Sequence, residues 1–169
     1  GKIIKKIKIV DENKEKFKFL EHAIKFRKEI KFRYTNLDKI NYFTLKPYKI
    51  VFLSENFYLA SEIELKRNGV NVTMSRIAMI DELSTTGNSF YHNPDIMNFI
   101  HYVQSPWGTY KPNFKEHLKE VIIEVPKEQA KYFKLKKFFP SQKILREDEN
   151  GTIQISYTVT SENEVVGLI

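Results

Sequence analysis

The spacing of apolar residues changes from three-and-four to two between Phe17 and Leu83, and that change restricts the fold more than any other feature of the sequence. Phe17, Leu20, Ala23 and Ile24 recur at helical intervals, which predicts an amphipathic helix reaching about Lys28. Ile30, Phe32 and Tyr34 then alternate, as side chains do along a strand. TNLDK, SEN and KRNG are polar turns, the first using Asn and Asp side chains and the last carrying the hairpin signal Asn68-Gly69. Between the turns, Ile40–Lys46, Tyr48–Leu53, Phe57–Glu62 and Val70–Leu83 read as strands. Pro47 cannot donate to a ladder and marks an edge or a bend. A helix followed by about five short strands predicts a small barrel or a strongly bent sheet.

STTGNSFYHNPD reads as a loop, Pro94–Val103 as a short helix, and QSPWGTYKPN as a linker holding the single tryptophan, Trp107. Beyond it, Val121–Val125 is a strand and Pro126 fits the first turn of a helix. Ser141–Arg146 and Thr152–Val159 form a hairpin around EDENG. Ser161–Glu164 has the form of a capping box, opening a helix expected to continue past Ile169. The order βαββα predicts most of a ferredoxin-like unit without its last strand. The expected organisation is a basic N-terminal segment or linker at 1–16, a first domain at 17–104, a linker at 105–117 and a second domain at 118–169, so that the fold class is α+β.

Charge is unevenly placed. Of 28 Lys and Arg, 12 precede residue 34, against 5 of 21 Asp and Glu; the remainder balances at 16 each. Such a segment suits phosphates, nucleic acid or an acidic partner, and equally a solvated lysine-rich face. The absence of cysteine excludes disulfides and thiolate chemistry and fits a reducing cytoplasm. No apolar run approaches the ~20 residues of a membrane span. His22, His92, His101 and His117 stand in no metal-ligand spacing. There is no nucleophile elbow and no phosphate-binding loop. An enzyme is therefore not expected, nor a metal or cofactor.

Val70, Val72, Met74 and Arg76 share one face of a strand, so a permanent cation continues an apolar row. An unpaired guanidinium in a dry core would cost several kcal/mol. Either a bulge at Ser75-Arg76 re-aims the side chain, or the face opens onto a groove. Tyr42, Tyr48 and Tyr58 lie close to Lys46, Lys49 and Arg76 in sequence or expected pairing. Aromatics beside cations can stack bases and neutralise phosphates; they can equally be ordinary packing.

AIKFRKEIKFRY, LKPYKIVFLSENFYLASE and VNVTMSRIAMIDEL, in this order, resemble the WYL domain of bacterial transcriptional regulators. Phe57-Tyr58-Leu59 stands for the name-giving tripeptide, Pro47 for the proline of the preceding strand, and Arg76-Ile77 for the closing pair. VIIEV, KYFKLKKFFPSQKI and DENGTIQISYTVT resemble the C-terminal extension that follows such domains. The resemblance implies a Sm-like, SH3-type barrel sensing a nucleotide-like or single-stranded nucleic-acid effector in a cytoplasmic, homodimeric regulator. Its helix-turn-helix DNA-binding domain would lie outside these residues. Arg76 would anchor the anion, with Tyr58 or Tyr48 stacking, Ser75 donating a hydrogen bond, and Lys46, Lys49 and Arg33 supplying field. Two further arginines frequent in the family are replaced by Thr73 and Phe43. The alternative is a ligand-free interaction or dimerisation module.

Overall fold

The computed structural model describes the backbone of residues 2–67 and 69–168, and the side chains of 14–67 and 69–165. The chain forms two compact units, 1–100 and 101–169. Both are mixed α+β, each built on an antiparallel sheet. No helix among the described residues is long and apolar enough to cross a membrane.

In the first unit, helix α1 spans Lys2–Lys25 and is followed by β1 (Lys28–Asn36), β2 (Lys39–Leu53), β3 (Asn56–Leu65), β4 (Gly69–Arg76) and β5 (Ile80–Ser89). The helix is longer than its apolar spacing predicts: the backbone of residues 2–16, expected to be a separate segment or linker, continues the same helix. Helix α1 puts Leu20 and Ala23 into a core with Ile30, Phe32, Leu45, Leu59, Ile77 and Ile80. Lys16 also donates to the carbonyl of Ile77.

The strand order is β4-β3-β2-β1-β5. Among the described residues this ladder does not close on itself, so of the two expected forms, small barrel or strongly bent sheet, the strands make the bent sheet. The curl is deep enough for the Tyr34 hydroxyl on β1 to accept the Arg76 amide at the end of β4, at 3.0 Å. β2 makes the bend. Its residues 39–45 pair with β1, its residues 46–53 pair with β3, and the register slips between Pro47 and Lys49. The two strands expected on either side of Pro47 are thus one, with the proline at a bulge where its missing N–H does least harm. The expected strand Val70–Leu83 is in turn two, separated by the 3₁₀ turn Ile77–Met79. β5 then pairs with β1 and takes in STTGNS, which was expected to be loop.

Helix α2 (Pro94–Tyr102) leads to the 3₁₀ turn Phe114–His117, strand β6 (Lys119–Val125), helix α3 (Lys127–Leu135), strands β7 (Lys143–Glu147) and β8 (Ile153–Val159), and a second 3₁₀ turn at Glu162–Leu168. The segment 105–117, expected to be a linker, lies within the second unit and buries Ser105, Tyr110 and Phe114. The sheet order β6-β8-β7, antiparallel throughout, makes β6 and β7 parallel with β8 inserted between them. That is the split βαβ arrangement expected of a ferredoxin-like unit. The central strand β8 buries Ile153, Ile155, Tyr157 and Val159 completely, and burial pushes the Tyr157 phenol up to about 12.

The expected capping box is absent. The Glu164 side chain does not return to the Ser161 amide, and the Ser161 hydroxyl donates to the Trp107 carbonyl instead; Glu164 is 1% exposed and its carboxylate faces inward. One oxygen accepts from the amides of Gln104 (3.0 Å) and Ser105 (3.1 Å) and from the Ser105 hydroxyl. The other accepts from the amide (2.7 Å) and hydroxyl (2.9 Å) of Thr160. A carboxylate with five donors is satisfied without a counter-cation.

Candidate functional site

The unbroken β3–β4 register, from Leu65↔Gly69 to Tyr58↔Arg76, removes the bulge expected at Ser75-Arg76. Ser75 stands opposite Leu59, which is fully buried in the core, and is itself 3% exposed. Arg76 therefore belongs to the other face, with Val72 and Met74 half-buried and Val70 44% exposed. The apolar row ending in Arg76 is not the core row, which resolves the conflict of parity. The 3₁₀ turn, rather than a bulge, carries Ile77 inward.

The Arg76 guanidinium donates to the Asn56 side-chain carbonyl at 2.8 Å. It makes no ion pair among the described residues. It borders a cavity of about 300 Å³ with Phe17, Phe52, Glu55, Asn56, Phe57 and Ile77. The aromatic wall follows from a two-residue hairpin. Ser54 and Glu55 have φ of 49° and 65°, the left-handed pair of a type I′ turn, whose twist matches the strands. Phe52 is thereby set opposite Phe57, with ring centroids 4.9 Å apart. Phe17 of α1 meets Phe57 edge-on at 5.3 Å. A neighbouring groove of about 530 Å³ shares Phe17 and Phe57 and adds Ile24, Lys25, Lys49 and Ile50.

The other expected residues are distributed differently. Tyr58 is half-buried and pairs directly across from Arg76. Lys49 is exposed at the groove. Lys46 and Tyr48 converge on Glu62: the ammonium lies 3.4 Å from one oxygen and the phenol donates to the other at 2.6 Å. Tyr48 is 1% exposed and also accepts the Asn93 amide at 2.9 Å, and burial raises its pKa. Its ring sits in a three-ring cluster with His92 (4.5 Å) and Phe90 (5.7 Å). Arg33 lies 3.5 Å from Asp81 and 3.4 Å from Glu82. The irregular register of β1 with β5 brings both carboxylates to it. Sequence reasoning missed Phe17, Phe52, Asn56 and Phe57. The short SEN turn between two aromatic strands was the available signal for Phe52 and Phe57.

His92 bears on stability. Burial lowers its pKa below the usual 6.5; Arg27 lowers it further and Glu62 opposes this. Its Nε2 is buried without a partner. The unfolded chain thus takes up the proton more readily, and the stabilisation from a neutral His92 is lost as pH falls through 6.5. Urea unfolding between pH 7.5 and 5.5 is expected to show this decline, and His92→Phe should flatten it. An equal decline in that variant would exclude His92 as its source.

A scan against protein families and a search of curated proteins give no match. Two solved structures are similar in part. Proteasome accessory factor B/C (PafBC) of Arthrobacter aurescens aligns at TM-score 0.41 and 15% identity, over 91% of this chain and 22% of that one. A CRISPR Cas-related protein aligns at TM-score 0.39 and 12% identity, over 89% and 46%. The chain thus spans less than half of either, and at these values the likenesses define neither a family nor a function.

Proposed function

We propose that this chain is the effector-sensing part of a WYL-type transcriptional regulator, and that Arg76 receives the anionic group of a nucleotide-like or single-stranded nucleic-acid ligand. One observation carries the reading: Arg76 is a half-buried cation on an aromatic-walled cavity, hydrogen-bonded to the neutral amide of Asn56 and unpaired, among the described residues, with the Glu55 carboxylate that lines the same cavity. Arg33 and Lys46 are engaged by carboxylates and are poorer candidates. Phe52 and Phe57 supply the stacking surface that bases use, and Tyr58 pairs across from Arg76 on the neighbouring strand. In this reading the curled sheet is a variant of the Sm-like, SH3-type barrel. The regulator is cytoplasmic and homodimeric, without catalytic activity, and its DNA-binding domain lies outside these residues.

Fluorescence anisotropy with labelled single-stranded oligonucleotides tests the assignment. Arg76→Ala is expected to weaken binding roughly ten- to hundredfold, as loss of a charge-assisted hydrogen bond does, and to reduce the salt slope by about one. Binding unchanged by the substitution would remove Arg76 from the site. No binding by the unaltered chain favours the second reading, an interaction or dimerisation module. The exposed Leu135 and Trp107 of the second unit support that alternative.

A further inference from the structure

The second unit holds a concavity of its own, far more cationic than its surroundings require. It measures about 340 Å³ and is lined by Thr109, Lys111, Phe114, His117, Lys119 and Ser161, among others, none of them a carboxylate. Lys111, His117 and Lys119 make no ion pair among the described residues. The αL backbone of Asn113 and the 3₁₀ turn after it bring them together: the turn runs into β6, so Lys111 precedes it and Lys119 opens the strand. Half-buried Leu118 is the apolar surface of the same cavity, backed by Phe114, which is 3% exposed.

We infer that this cavity is an anion site for a small phosphorylated molecule whose apolar part lies against Leu118. Like charges left unpaired around a concavity with a low-dielectric wall focus a positive field into it. Two ammonium groups suit a phosphate as point charges, while the imidazole of His117 and the hydroxyl of Thr109 provide directional hydrogen bonds; the Ser161 hydroxyl already donates to the Trp107 carbonyl. Glu164 lies behind Thr160, and its oxygens already accept five hydrogen bonds. The Thr160 hydroxyl is committed to that carboxylate and to the Thr109 amide, so it is part of the wall rather than a ligand contact. The volume falls within the range of small-molecule sites, about 300–1,000 Å³. This site lies in a different unit from Arg76 and stands independently of its assignment.

Calorimetric titration of the full chain with inorganic pyrophosphate, adenosine monophosphate and sulfate tests the inference. Saturable binding of the two phosphorylated probes is expected, weakened at least tenfold in Lys111→Ala/Lys119→Ala and unchanged in Arg76→Ala. Both lysines are exposed, so the paired substitution leaves the core intact. Thr109→Val, also at an exposed position, should weaken binding to a smaller degree. Absence of saturable binding at millimolar probe, equal affinity for sulfate, or indifference to the lysine pair would each overturn the site. Loss in Arg76→Ala alone would place the bound probe in the first unit and overturn it as well.

Discussion

Glu164→Ala is expected to destabilise the second unit by about 3–5 kcal/mol, because several buried donors lose their acceptor at roughly 1–3 kcal/mol each. The substitution deletes little apolar area, so a hydrophobic account predicts a small effect. Hydrogen bonding predicts a large one, because the amides of Gln104, Ser105 and Thr160 lose their acceptor in a dry interior. Glu164→Gln retains the shape but offers one acceptor oxygen where two are used, and should fall between the two. Gly108 touches the same knot: a Cβ there would stand 2.2 Å from Val103 Cγ2, 3.1 Å from Thr160 Oγ1 and 3.2 Å from Glu164 Oε1. Gly108→Ala should therefore cost about 1–3 kcal/mol through overpacking, although alanine is elsewhere the milder residue. Urea unfolding followed by circular dichroism measures both. A loss below 1 kcal/mol for Glu164→Ala would mean that water replaces the carboxylate.

Tyr48→Ala is the second large effect, at about 3–5 kcal/mol for an aromatic core truncation. The ring is 1% exposed and packed with Phe90 and His92. Its hydroxyl joins two segments, donating to Glu62 and accepting from Asn93. Tyr48→Phe separates the contributions: it keeps the ring and orphans both partners, for about 1–3 kcal/mol. A residue in this position fixes the sheet to the segment after β5 and has almost no surface to offer a ligand. Chemical denaturation gives the energies; oligonucleotide affinity unchanged in Tyr48→Phe would agree with a structural role. A Phe variant as stable as the parent would show the hydroxyl bonds to be energetically neutral.

Period and turn chemistry carried much of the fold into the sequence. The change of spacing after Lys28, the hairpin at SEN and the βαββ order of the second unit all rest on local preferences. Long-range pairing decided the rest. KIIKKIKIV has apolar residues compatible with either period, and the backbone there is helical. STTGNS looks like loop in isolation, but β1 offers it a ladder. Arg76 was legible as a cation out of place, whereas its surroundings were not: Phe17 arrives from a helix about 60 residues away in sequence. Glu62 and Glu164 resemble any carboxylates scattered among lysines. Their burial depends on donors distant in the chain, such as Ser105, 59 residues from Glu164.

β2 has a consequence for how the first unit comes apart. A sheet assembled from separate hairpins can shed one and keep the others, because each carries its own hydrogen-bonded edge. Here a continuous 15-residue strand is common property of two ladders, and the bulge at Pro47 bends it without cutting it. Releasing β3 and β4 exposes the same strand on which β1 and, through it, β5 depend. Local opening thus has no seam to follow through the middle of the sheet, and the cavity beside Arg76 rests on a frame that gives way as a whole or stays shut.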